Sequence, residues 1–228
     1  MKNPLFIITI LCVGNLAFTV PTFAAKEKDD SSSTEIEANY TKTIEGRTAN
    51  ILKALALGDT NQVAGVHDII MAQWRALRAW HDANDAKLKQ ALKAGDSNAV
   101  AQIRTSLKSL HNEFLSRLSA RLTPSQVDTV KDKMTYNKVE VTYNAYCQIV
   151  PNLAETEKAR ILELLKQARE EAMDCGRAEE KSAVFKKYKG KINNYLTAQG
   201  HNVSKAYKEW GEKQKLKAAG NSAPAPAR

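Results

Sequence analysis

Residues 97–118 read SNAVAQIRTSLKSLHNEFLSRL, and in them Val100, Ile103, Leu107, Leu110, Phe114 and Leu118 return at steps of three and four. That period lays six apolar side chains along one side of an α-helix and leaves Arg104, Lys108 and Glu113 on the other. The stretch opens on Gly95-Asp96-Ser97, a helix stop followed by a cap, and the same punctuation stands at Gly58-Asp59-Thr60. Over ten positions LALGDTNQVA (55–64) and LKAGDSNAVA (92–101) match at an offset of 37 residues, as a duplicated helical hairpin would.

Working outward, a first helix runs from near Glu35 to Leu57. A second carries Val63, Val66, Ile70, Trp74 and Leu77 on one face, with a bend or end expected near Asp82 to Asp85. Leu122-Thr123-Pro124-Ser125-Gln126 has the cap, first-turn proline and N3 glutamine of a capping box, and Asn152-Leu153-Ala154-Glu155 repeats that logic. Between them one helix is expected through Tyr136, Val139, Tyr143, Tyr146 and Val150. Extended chain over Lys138 to Tyr143 is the alternative, because Val139, Val141 and Thr142 are β-branched. Ile161 to Ala172, Phe185 to Tyr195 and Val203 to Leu216 complete the series. The fold class is all-α, a single-domain antiparallel bundle of about six to seven helices.

Four segments follow: a signal peptide over 1–24, a disordered leader over 25–34, the helical domain over 35–217 and a disordered tail over 218–228. Lys2, the apolar run Leu5 to Val20 and the closing Pro21-Thr22-Phe23-Ala24 are the signs of a cleaved secretory signal, which places the mature protein in the periplasm or outside the cell. No later segment is apolar enough to span a membrane. Cutting after Ala24 removes one lysine and no acid, so the charge falls from +9 to +8. That balance favours anionic partners, and the compartment excludes nucleic acid. An exported protein would oxidise Cys147 and Cys175, yet Cys175 lies roughly 30 Å along its helix beyond a turn at Pro151-Asn152, and a bridge needs Cα atoms within about 7 Å; two small buried thiols are the other reading.

Reactive constellations are scarce. His67-Asp68 and His81-Asp82 are 14 residues apart on one helix, about 21 Å, too far to hold one ion. His111 and His201 add no ligand spacing, and no metal or cofactor is expected. No glycine-flanked serine and no phosphate loop occurs. Glu170-Glu171 and Glu179-Glu180 sit beside basic residues as a solvated face would.

Binding is the better reading, because a saccharide needs flat aromatic faces together with amides, hydroxyls and charged groups. On one helix Tyr136 would overlie Tyr143 and Asn137 would overlie Asn144, an aromatic ladder beside an amide ladder. Asn193, Asn194 and Tyr195 form a second set near Lys191, with Lys131 and Asp132 at the rim. The same tyrosines occupy stripe positions and equally suit a core. The partner is a carbohydrate, with an acidic oligosaccharide the form the charge favours.

The blocks VKDKMTYNKVEVTYNAYCQIVPNL (130–153) and KYKGKINNYLTAQG (187–200) resemble a family of uncharacterised, exported, helical bacterial proteins described as sugar-binding, over roughly Ile44 to Trp210. The resemblance implies a periplasmic or secreted helical domain from polysaccharide-degrading bacteria, with no assigned activity and no known site residues. Leu122 to Gln126 is also similar to the Leu-Thr-x-x-Gln signature of periplasmic stress chaperones, although those are shorter, methionine-richer and usually carry it twice. A chaperone-like shield for unfolded clients is therefore the alternative function, and a glycan-processing enzyme using an unrecognised carboxylate pair is a third.

Overall fold

The structure, a computed structural model, describes residues 27–221, and the side chains of 32–217. The signal-peptide segment 1–24 with its Cys12, and residues 222–228 of the tail, lie outside that range. Eight helices occur in it and no strand: α1 (Glu27–Leu55), α2 (Thr60–Ala94), α3 (Ser97–Ser119), α4 (Pro124–Met134), α5 (Lys138–Ile149), α6 (Glu155–Met173), α7 (Ala178–Ala198) and α8 (Val203–Asn221). The chain divides into a unit ending at Thr41, whose described part belongs to α1, and a second unit from Lys42 onward. All features of functional interest lie in the second.

The local signals explain most boundaries. Asp59 caps α2 by accepting from the Gln62 backbone N–H at 2.8 Å, and Asp96 caps α3 through Ala99 N at 2.9 Å. Gly95 takes the left-handed conformation (φ 69°) that closes α2. Thr123 and Gln126 form the capping box of α4 in both directions.

The differences are equally local. Residues 27–34, read as leader, are already helical, and α8 runs past 217 to Asn221. α1 stops at Leu55, because Ala56 turns left-handed (φ 47°). α2 does not end at Asp82 to Asp85 but continues to Ala94; Asn84 donates to Trp80 O within the helix, and His81 contacts Asp85. The cap of α6 is at Ala154, whose N–H is accepted by Glu157 Oε2 at 2.8 Å, so the Asn152 cap with N3 at Glu155 does not form.

The most consequential difference divides the helix expected over 124–150, and so raises the number of helices. Tyr136 (φ 59°) and Asn137 (φ 54°) are both left-handed. The buried Thr135 folds its hydroxyl back onto the Lys131 and Asp132 carbonyls, and Asn137 N–H closes onto Asp132 O at 2.8 Å. Lys138 to Tyr143 is helical, not extended.

α6 packs on α7, α5 and α4, α2 on α3, and α8 on α5 and α7. Tyr146, Ile149, Ile161, Leu165, Phe185, Ile192, Leu196 and Val203 fill one core cluster, each large side chain contributing about 1.5–3 kcal/mol by leaving water. Lys181, 1 % exposed, is buried too: its ammonium donates to Ala172 O (3.0 Å) and Met173 O (3.2 Å), capping the carbonyl end of α6. Burial pulls its pKa down to about 8. Cys147 and Cys175 are unpaired thiols.

Candidate functional site

A cleft of about 530 Å³ opens between α2, α3, α7 and the end of α6. Its walls are Trp80, Leu88, Leu92, Leu107, Ala183 and Val184, and its charged groups are Lys89 and Arg104 against Asp85, Glu171, Asp174 and Glu180. The long uninterrupted α2 makes this possible, since Trp80, His81, Asp85, Leu88 and Leu92 recur at steps that keep them on one side. Trp80 is held in place by its indole N–H, which donates to Ser106 Oγ at 2.8 Å on α3. The imidazole of His81 stands edge-on to it, with ring centroids 5.1 Å apart.

His81 joins the cleft to the corner after α6. Nε2 donates to the Asp174 carbonyl oxygen at 2.7 Å, and Nδ1 lies 2.9 Å from Asp85 Oδ1. Gly176 belongs to the same corner because a Cβ there would stand 3.1 Å from the imidazole Cδ2.

Behind the cleft runs a chain of charges. The carboxylate of Asp174 accepts from His111 Nδ1 at 2.9 Å; His111 Nε2 faces Glu170 at 3.5 Å, and Lys131 donates to Glu170 at 2.9 Å. Arg169, 4 % exposed, donates to Asp132 (2.8 Å) and Asp128 (2.6 Å) and reaches Glu170 at 3.5 Å. The Asp174 and Glu170 hydrogen bonds lift His111 to about 9 against its burial. Burial opposes ionisation of Glu170, but His111, Lys131 and Arg169 outweigh it and hold the carboxyl at about 2. Alternating charges tie α3, α4 and α6 together and hold Asp174, and through its carbonyl His81, in position.

The partners of these groups limit the chemistry open to them. Both ring nitrogens of His81 are engaged, Nε2 by the Asp174 carbonyl and Nδ1 by the Asp85 carboxylate. Burial pushes the Cys175 thiol up to about 11, so it is not a thiolate at neutral pH. The Lys181 ammonium is enclosed by carbonyls. Among the described residues, no group of three or more His, Cys, Asp and Glu side chains could hold a metal ion.

The residues singled out in the sequence are distributed differently from the two ladders. Tyr136, 46 % exposed, lines a separate recess of about 120 Å³ with Arg47, Asn50, Trp74 and Met134. Tyr143 packs half-buried against the α5–α8 core, and Asn144 is exposed beside it. The turn at 135–137 therefore prevents Tyr136 and Asn137 from stacking over Tyr143 and Asn144. Lys131 and Asp132 belong to the charge chain. On α7, Asn193 accepts the Tyr146 hydroxyl hydrogen at 2.7 Å, Asn194 and Lys191 are exposed, and Tyr195 is half-buried against the core. That second set stays together on one helix. Trp80, Arg104, His111 and Asp174 were not legible as a site; the one local signal was His81 four residues before Asp85, the helical spacing at which side chains meet.

Over residues 41–216 the chain matches the family DUF3826, described as a protein of unknown function, and it belongs to that family. No curated protein matches it. Among the described residues no helix is long and apolar enough to cross a membrane.

Proposed function

We propose that the protein is an exported, non-catalytic binding protein, an antiparallel helical bundle whose Trp80 cleft takes a short carbohydrate bearing an acidic group. One observation supports this reading: an indole pinned by Ser106 shares a cleft of about 530 Å³ with an apolar wall and with Arg104 and Lys89. The volume falls in the usual range for small-molecule sites. The indole and leucines suit the C–H face of a sugar ring, and the guanidinium fork suits a carboxylate. The interpretation keeps the ligand class suggested by the sequence and moves the site away from the tyrosine ladders.

A client-shielding surface has less support. The exposed large hydrophobics, Ile36, Leu92, Tyr136, Val141 and Leu216, are scattered over α1, α2, α5, α8 and the α4–α5 turn.

The test is calorimetric titration of the protein lacking residues 1–24 with neutral and uronate-containing di- to tetrasaccharides. Saturable binding of an acidic oligomer, lost in Trp80→Ala and weakened at least tenfold in Arg104→Gln but retained in Tyr143→Ala, is the expected result. A titration with no heat for any oligomer, or loss in Tyr143→Ala alone, overturns it.

A further inference from the structure

Lysine and arginine are interspersed along most of the chain, but one long stretch near its C-terminal end holds lysine alone. Residues 186–217 hold nine lysines (Lys186, Lys187, Lys189, Lys191, Lys205, Lys208, Lys213, Lys215, Lys217), no arginine and two glutamates, which gives +7 of the chain's +9. Every one of the nine is exposed. Among the described residues two of them meet a carboxylate, Lys187 at Glu171 (2.9 Å) and Lys205 at Glu209 (3.8 Å). Tyr188 lies buried beneath α7's lysines, with the Lys191 ammonium 4.0 Å and that of Lys187 5.6 Å from its ring centre. Along α8 the lysines extend over roughly 18 Å.

We propose that α7 from Lys186 onward and α8 as far as Lys217 form a docking surface for an anionic polysaccharide. Hydrated point charges spread over two packed helices, seven of the nine without a carboxylate partner among the described residues, suit a flexible chain of repeated carboxylates, whereas a single fixed anion would call for an arginine fork. Two other polyanions fit less well. Nucleic acid strands bind where exposed aromatic rings stack the bases, and here Tyr188 is buried while Tyr195, Tyr207 and Trp210 pack against the core. A membrane-surface helix inserts an apolar face, but Val203, Ala206, Tyr207 and Trp210 of α8 pack against the protein, leaving Leu216 as the one exposed large apolar side chain of α8 among the described residues.

This surface is built from residues other than the cleft's, so its role as an anchor to a polymer stands apart from the ligand in the cleft. The test is affinity electrophoresis of the chain lacking residues 1–24 through gels containing polygalacturonate or neutral dextran. Vesicles with anionic lipid and single-stranded DNA are run as competing baits in sedimentation and mobility-shift assays. A variant with Lys186, Lys189, Lys191, Lys208, Lys213 and Lys215 all changed to Gln is compared with Lys53→Gln/Lys87→Gln/Lys108→Gln, and circular dichroism establishes that both are folded. The expected result is retardation by polygalacturonate only, fading between about 50 and 200 mM salt. The six-site variant should weaken binding on the order of a hundredfold and the control less than about threefold. No retardation at low salt, preference for DNA or vesicles, or a control loss per charge equal to that of the six-site variant would each overturn it. Because short oligomers in the cleft are read by calorimetry and the polymer by mobility, either proposal can fail without the other.

Discussion

His81 and Asp174 are 93 residues apart in sequence and 2.7 Å apart in space, ring nitrogen to main-chain oxygen. The bond fastens the corner between α6 and α7 to the middle of α2, so the cleft has a fixed floor rather than two walls free to slide.

Breaking it has a predictable cost. In His81→Ala the Asp174 carbonyl loses its donor and the Asp85 carboxylate its partner, and a part-buried polar group left alone costs about 1–3 kcal/mol. At about 2–4 °C per kcal/mol for a domain of this size, a fall of several degrees in melting temperature is expected. Gly176→Ala should move it the same way, since its Cβ would crowd the imidazole. A melting temperature unchanged in both variants would show that the corner is not held by this contact.

Arg169→Met removes a nearly fully buried guanidinium and leaves Asp128, Asp132 and Glu170 facing one another. Loss of one partner from a buried pair costs about 3–5 kcal/mol, and the low end applies because both aspartates are partly in water. Urea unfolding should show the midpoint falling with the slope preserved. Adding Asp132→Asn should recover part of the loss, since it removes one of the repelling charges.

The pH dependence follows from the same chain. His111 is raised from 6.5 to about 9, so its stabilisation is complete below about 6.5 and disappears as pH rises through about 9. Glu170 is lowered from 4.5 to about 2, so its share is complete above about 4.5 and is lost as pH falls through about 2. Lys181, lowered from 10.5 to about 8, acts oppositely to His111: it weighs against folding below about 8 and ceases to do so above 10.5. Stability should therefore be high between about pH 4.5 and 6.5, decline between about 6.5 and 8, and level off between about 8 and 9, where relief of the Lys181 penalty offsets the loss at His111. His111→Gln should flatten that decline; a decline of the same slope in this variant would assign it to another group.

Tyr136 occupies a conformation that costs a side chain with a Cβ about 1–2 kcal/mol. Tyr136→Gly relieves this strain, loses contact at a half-exposed recess and gains unfolded-chain freedom worth about 0.5–1 kcal/mol. The expected net change in melting temperature is within about 3 °C. Tyr143→Ala, which empties part of the α5–α8 core, should be clearly destabilising, by about 2–4 kcal/mol. A Tyr136→Gly variant as unstable as Tyr143→Ala would place Tyr136 in the core after all.

How far the sequence could be read depended on the range of each interaction. Asp59, Asp96 and the Thr123–Gln126 box were legible because a cap and its partner lie three residues apart. The 135–137 turn was not, since neither glycine nor proline marks it; only Asn137 belongs to a type that accepts the left-handed region readily, and Thr135 uses an ordinary hydroxyl to fold the chain back. The Ala154 cap was hidden for a related reason, because Glu157 supplies the acceptor that alanine lacks, and His201 then holds that carboxylate at 2.8 Å. At the site, residue types were visible while partners were not. His81 stood out as a histidine beside Asp82, yet it uses Asp85 and a carbonyl from the far end of α6. Tyr146 counted only as one of several tyrosines, although its hydroxyl links α5 to Asn193 on α7.

The enclosed ammonium of Lys181 lends itself to kinetic use. The nine lysines of the docking surface can be acylated at the speed of the reagent, whereas Lys181 must wait until the joint between α6 and α7 opens and releases its two carbonyls. The lag of Lys181 acylation behind Lys189, followed by mass spectrometry, therefore measures how often that joint breathes, and a ligand that tightens the neighbouring cleft would register as a longer lag.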